Sequence, residues 1–174
     1  MKIFNHMNWI KNASNDYSNN ELNTRLKNMI RENPFFKHMF KEYGVSLDKI
    51  DNELVFETAD LKNKFSEASD KRIILDRDIV KDDKIYNDNF HFVIHELAHW
   101  LTRQKEKNLY FADPEEISSF SYAMAFELLR GKSYKEIYDE FFSIMKSHFN
   151  NIENAKKLFK ALLIKAISIS REYS

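Results

Sequence analysis

Cysteine is absent from the 174 residues, and glycine and proline occur only twice each. Without cysteine there is no disulfide framework, no thiolate zinc site, no iron–sulfur cluster and no thiol nucleophile, so any metal falls to His, Asp or Glu. So few breakers exclude a loop-rich architecture; Pro34, Gly44, Pro114 and Gly131 each stand where a helix would begin or stop. Net charge is also lacking. Lys and Arg number 27 and Asp and Glu 27, with a sequence pI near 7.0, which argues against nucleic acid and against an anionic membrane as partner. No run approaches the roughly 18 apolar residues of a membrane helix, and Asn5, His6 and Asn8 interrupt the N-terminus before a signal-peptide core could form. The chain therefore reads as cytoplasmic. A hydrophobic content of 43%, with 15 Phe and 8 Tyr, is ample for a core, while a mean hydropathy of -0.59 keeps the surface polar.

The expected fold class is α+β, mostly helical, in a single domain over 1–174, with a loosely ordered lead-in at 1–20 and a C-terminal helical pair at 132–174. Leu22, Leu26, Met29 and Ile30 recur at helical spacing, and after Asn33-Pro34 the pattern resumes at Phe35, Phe36, Met39 and Phe40 to stop at Gly44. From Asp48 to Lys84 the character changes. Leu54 to Phe56, Asn63 to Phe65 and Arg72 to Leu75 are short, rich in strand formers and bounded by polar residues, which predicts a small antiparallel sheet. Asn87 to Asn89 would cap a helix from Phe90 to about Gln104. Asp113-Pro114-Glu115-Glu116 opens the next, with a stripe of Ile117, Phe120, Met124 and Leu128 that Gly131 ends. Ser133 and Glu136 form a capping box for a helix through Ile137, Phe141, Ile144 and Met145. Asn150-Asn151 then turns into a last helix carrying Leu158, Leu162 and Ile167.

Chemistry concentrates in His95-Glu96-Leu97-Ala98-His99, a His-Glu-x-x-His pattern inside a predicted helix. Residues i and i+4 share a helix face about 6 Å apart along the axis, so both imidazoles reach one zinc ion. Glu96 is turned far enough to miss the metal yet approach a metal-bound water, whose pKa zinc lowers towards about 7, and can take its proton as it attacks a carbonyl. The uncharged neighbours Val93, Ile94, Leu97, Ala98, Trp100 and Leu101 suit a helix packed into a core at the floor of a cleft. A catalytic zinc needs a third protein ligand. His91 lies about 12 Å of helix axis from His99, too far for one ion, and reads as a polar residue at the cleft rim. Glu115 and Glu116, in the first turn of the following helix, are the better source, though acidic residues also favour a helix N-terminus for electrostatic reasons alone.

On these residues the chain resembles the zincin metallopeptidases of gluzincin type, and specifically the compact ImmA/IrrE-like peptidases of phages and mobile elements. The likeness covers about Leu54 to Leu129. It implies a zincin-like domain holding one zinc ion per chain, with His95 and His99 as ligands, Glu96 as general base, and Glu116 or Glu115 as third ligand. Glu116 is preferred as nearer the buried stripe of Ile117, Phe120 and Met124; Glu115 matches the larger gluzincins, whose glutamate is followed by x-Ile-Ser. The resemblance further implies a protein or peptide substrate paired with an edge strand. The polar-alternating Lys64 to Glu67 run suits that edge, and Ile73 to Leu75 suits the interior. One departure stands out. The family carries Asp or Asn four residues after the ligand glutamate as a partner for the first histidine, where this chain has Ser119 or Phe120. Tyr110, Tyr122 and His91 are candidates for stabilising an oxyanion. The departure motivates an alternative, a zinc-binding but non-catalytic protein-interaction domain. A further rival is a helical interaction protein with Phe35, Phe36, Phe40, Phe141 and Phe142 as its contact surface. Neither nucleic acid nor membrane is expected as partner, and oligomeric state is not legible in the sequence.

Overall fold

A computed structural model of the chain describes residues 18–62, 64–81, 83–105, 112–146 and 152–173; at 83, 104, 105, 112–116 and 154 it describes the backbone only. The chain begins with α1 (Asn19–Glu32), whose N-cap Ser18 forms a reciprocal capping box with Glu21, so the helix starts two residues before the expected Glu21. The rest of the expected lead-in, 1–17, lies outside the described residues. The Asn33 side chain caps α2 (Pro34–Tyr43), and Gly44 closes it at φ 66°. A short α3 (Lys49–Glu53) leads into the sheet.

Three strands, β1 (Val55–Ala59), β2 (Ser66–Ala68) and β3 (Arg72–Asp76), form one sheet in the order β1-β3-β2. The expected antiparallel sheet is corrected to a mixed one, since β2 runs antiparallel to β3 but β1 runs parallel to it. The reason lies in the 60–65 connection, which steps over the place of one strand before β2 descends and β3 returns between its neighbours. Asp76 holds that crossing. Its N–H donates to Phe65 O at 2.9 Å, Oδ2 accepts from the Leu61 N–H at 2.8 Å, and Oδ1 caps the next helix through the Asp78 N–H. The second strand falls at Ser66–Ala68 rather than 63–65. Its edge position and the interior place of β3, with Ile73 and Leu75 buried, agree with the pattern of polar and apolar residues. The outer edge of β1 is covered by α1, whose Asn23 and Asn19 side chains accept the N–H groups of Phe56 and Thr58, each at 3.0 Å. β2 is left as the uncovered edge.

α4 (Arg77–Val80) and α5 (Asp83–Asp88) connect the sheet to α6 (Phe90–Lys105). Asn87 and Asp88 belong to α5, and the Asn89 amide donates back to Ile85 O, so this stretch ends one helix instead of capping the next as expected. α7 (Ala112–Leu129) starts within a residue of the Asp113-Pro114 signal, with Pro114 tolerated in its first turn. Gly131 closes it at φ 96°. The Ser133–Glu136 capping box opens α8 (Tyr134–Ile137). A π-helical turn (Tyr138–Phe142) then interrupts the single helix that was expected, before α9 (Ser143–Lys146). Its wider winding lets the consecutive Phe141 and Phe142 both turn inward while Glu140 reaches Lys132. The expected turn at Asn150-Asn151 lies outside the described residues.

α10 (Ile152–Arg171) packs on α7 through Ala155, Phe159, Leu162, Ala166 and Ile169. That stripe is rotated from the expected one, leaving Leu158 and Ile167 half-buried. The core is built on Phe35, Phe36, Phe90 and Phe126, whose rings meet edge-on or tilted at centroid distances of 5.3 to 6.4 Å. The aromatics proposed as a contact surface, Phe35, Phe36, Phe40, Phe141 and Phe142, are all buried. They are core residues, and that rival loses its surface. No helix among the described residues is long and apolar enough to cross a membrane.

Candidate metal centre

α6 lies between the β2–β3 hairpin and α7, and its sequence divides into two stripes accordingly. Phe92, Glu96, Trp100 and Arg103, at spacings of four and three, face the hairpin. The Phe92 ring stacks on Phe65 at 4.8 Å, Ser66 Oγ lies 2.8 Å from Glu96 Oε1, Trp100 Nε1 donates to Asp70 O at 3.0 Å, and an Arg103 guanidinium nitrogen donates to Ala68 O at 2.6 Å. His91 and His95 face the helices packed on the other side. The His95 ring meets Phe120 of α7 at 4.6 Å, and His91 approaches Glu127 and Glu140.

His95 and His99, one turn apart, converge. Their Nε2 atoms are 3.0 Å apart and their rings are nearly perpendicular, at 81°. Without a metal one imidazole donates this hydrogen bond and the other accepts it. Two nitrogens ligating a tetrahedral zinc at about 2.0–2.1 Å stand about 3.3 Å apart, so the pair is already close to the bite of such an ion. Both rings are half-buried, and Glu96 is 8% exposed. The donor chemistry, two neutral imidazoles and an adjoining helix that bears two glutamates, fits zinc.

α7 runs antiparallel to α6, since His91 lies near Glu127 and His95 against Phe120. The same progression brings the first turns of α7, with Glu115 and Glu116, level with His99. Position on the helix separates the two glutamates. At about 100° per residue, 116 lies about 40° from 120 on the helix surface and 115 about 140° away, so 116 shares the face on which Phe120 meets His95. Both side chains lie outside the description, and among the described residues no group of three potential ligands is gathered.

The remaining candidates fall elsewhere. His91 is corrected from the cleft rim to the interior: it is 3% exposed, with Phe141 5.1 Å from its ring. Burial first, then the charges of Lys132, His95 and Arg130, push its pKa down to about 3, so it is neutral. Beside it Glu127, fully buried, pairs with Lys132 at 3.0 Å and Arg130 at 3.1 Å, and Lys132 also reaches Glu140 at 2.8 Å. Burial raises the Glu127 pKa against the pull of those two cations. Tyr122 turns to the opposite side of α7, packed by Phe35 and Tyr43 at 6.1 and 5.7 Å, with its hydroxyl pKa raised chiefly by burial. It is therefore no oxyanion donor for His95 and His99. Tyr110 lies outside the described residues. Ser119 is buried, and among the described residues its Oγ has no hydrogen-bond partner, while Phe120 takes the place against His95.

Sequence reasoning missed Ser66 and Phe65 as neighbours of the motif. Nothing in a three-residue strand announces them, although the apolar and polar members of the 92, 96, 100 and 103 stripe do imply a second packed surface. No protein-family model, no curated protein and no solved structure matches the chain.

Proposed function

We propose that this chain is a zinc-dependent metallopeptidase that hydrolyses a peptide bond in a protein or peptide substrate. The convergence of His95 and His99 Nε2 at 3.0 Å, with Glu96 beside them and turned to the uncovered strand edge, carries this reading. His95, His99 and Glu116, with Glu115 the alternative third ligand, would hold the ion. When bound, zinc supplies Lewis-acid polarisation of a carbonyl and activation of water near neutral pH. Glu96 takes the proton of the attacking water and delivers it to the leaving amine, a role its low exposure suits by limiting competing solvent. The edge of β2 offers main-chain groups to an extended substrate.

Zinc-loaded protein incubated with a mixed peptide library, read by mass spectrometry, tests this. Cleavage that disappears with a chelator and falls at least about a hundredfold in Glu96→Gln is expected for a general base; equal cleavage by both proteins contradicts it. A second reading, a zinc-binding but non-catalytic interaction domain, is favoured by one observation: an apolar ring, Phe120, packs on His95 where the resembled family supplies a polar partner. In that case Glu96→Gln changes nothing while zinc is retained.

A further inference from the structure

Ser66 occupies a position in which one residue touches both the strand edge and the candidate base. In the β2–β3 pairing it stands opposite Leu75, between the hydrogen-bonded positions marked by Phe65 O with Asp76 N–H and by the Glu67–Ile74 pair. At such a position the main-chain N–H and C=O point away from the partner strand, here to the uncovered edge. Its side chain goes to α6 instead, where Oγ donates to Glu96 Oε1 at 2.8 Å. The hairpin does not depend on that bond for its place. Trp100 holds it through Asp70 O and Arg103 through Ala68 O, both on the stripe that carries Glu96.

We propose that Ser66 is a positioning residue for peptide hydrolysis, its hydroxyl fixing one oxygen of the Glu96 carboxylate so that the other takes the proton of the attacking water. The inference rests on the peptidase reading. In the step the water O–H bond breaks as its oxygen bonds to the carbonyl carbon, the proton passes to Glu96 and then to the departing amine as the C–N bond breaks, and Ser66 keeps its own proton throughout. A carboxylate held at one oxygen loses less orientational freedom on reaching the transition state, and a strand bearing both the clamp and the pairing edge links substrate docking to the orientation of the base.

The test uses the zinc-loaded full chain and an internally quenched peptide library, with Ser66→Ala, Ser66→Thr and Glu96→Gln beside the wild type. The expected result is a kcat about tenfold lower in Ser66→Ala, the scale of one hydrogen bond to a charged group, with KM within about twofold, zinc content unchanged, and most of the loss restored in Ser66→Thr. A second readout needs no activity: in metal-free protein, the melting-temperature shifts of Ser66→Ala and Glu96→Gln should be non-additive in the double variant. A wild-type kcat in Ser66→Ala, a kcat loss that tracks loss of zinc, or additive melting shifts would overturn the proposal while leaving an active wild type and an inactive Glu96→Gln. A wild type as inert as Glu96→Gln would instead remove the peptidase reading and this inference with it.

Discussion

The Phe120 ring packs against the His95 imidazole with centroids 4.6 Å apart and an interplanar angle of 58°, and 6.4 Å from Phe141 behind it. His95 is thus oriented toward His99 by shape, in the way a hydrogen-bonded carboxylate orients metal-binding histidines elsewhere. Removing the ring should free the imidazole to rotate. Phe120→Ala is expected to weaken zinc affinity about tenfold, the lower end of the effect of losing an orienting neighbour, whereas Phe120→Leu should retain most of it. Competition with a chromophoric chelator measures both.

His91 gives the fold an acid-sensitive element. Its pKa is pushed down to about 3 from an ordinary 6.5, so the unfolded chain binds a proton that the folded chain refuses. The contribution to stability is complete above pH 6.5 and is lost progressively as pH falls from there towards 3. At pH 5.5 the loss should be about 1 kcal/mol. The buried Glu127, whose pKa is raised, works in the opposite sense, gaining stability as pH falls through its own folded value. Denaturant midpoints at pH 7.5 and 5.5 should therefore fall further in the wild type than in His91→Gln; parallel declines would show that His91 carries no such linkage.

Gly131 closes α7 at φ 96°, with its N–H donated to Leu128 O, and a Cβ added there would meet nothing within 4 Å. The cost of a side chain is then conformational and not steric. Gly131→Ala should lose about 1–2 kcal/mol of stability, seen as a lower denaturant midpoint with an unchanged slope.

The helical half of this structure was legible because its signals are local. Ser133 and Glu136 announce their capping box, Gly44 and Gly131 mark left-handed stops, and the 22, 26 and 30 spacing writes the buried face of α1. The convergence of His95 and His99 follows from helical period alone. What escaped depends on contacts distant in sequence. The parallel pairing of β1 with β3 is decided by a crossing that Asp76 secures, and the π-helical turn by the packing of Phe141 and Phe142. Burial of His91 was hidden because a histidine one turn before a His-Glu-x-x-His motif looks the same whether it faces a cleft or, as here, Phe141 and Glu140. Ser66 was invisible because a three-residue strand has no period to read.

Zinc content tests the account most directly. Elemental analysis of purified, zinc-reconstituted protein should give about one ion per chain in the wild type, none in His99→Ala, a marked loss in Glu116→Ala and near-full content in Glu115→Ala. No zinc in the reconstituted wild type, or full retention in His99→Ala, would contradict a metal centre on α6 and the peptidase built upon it.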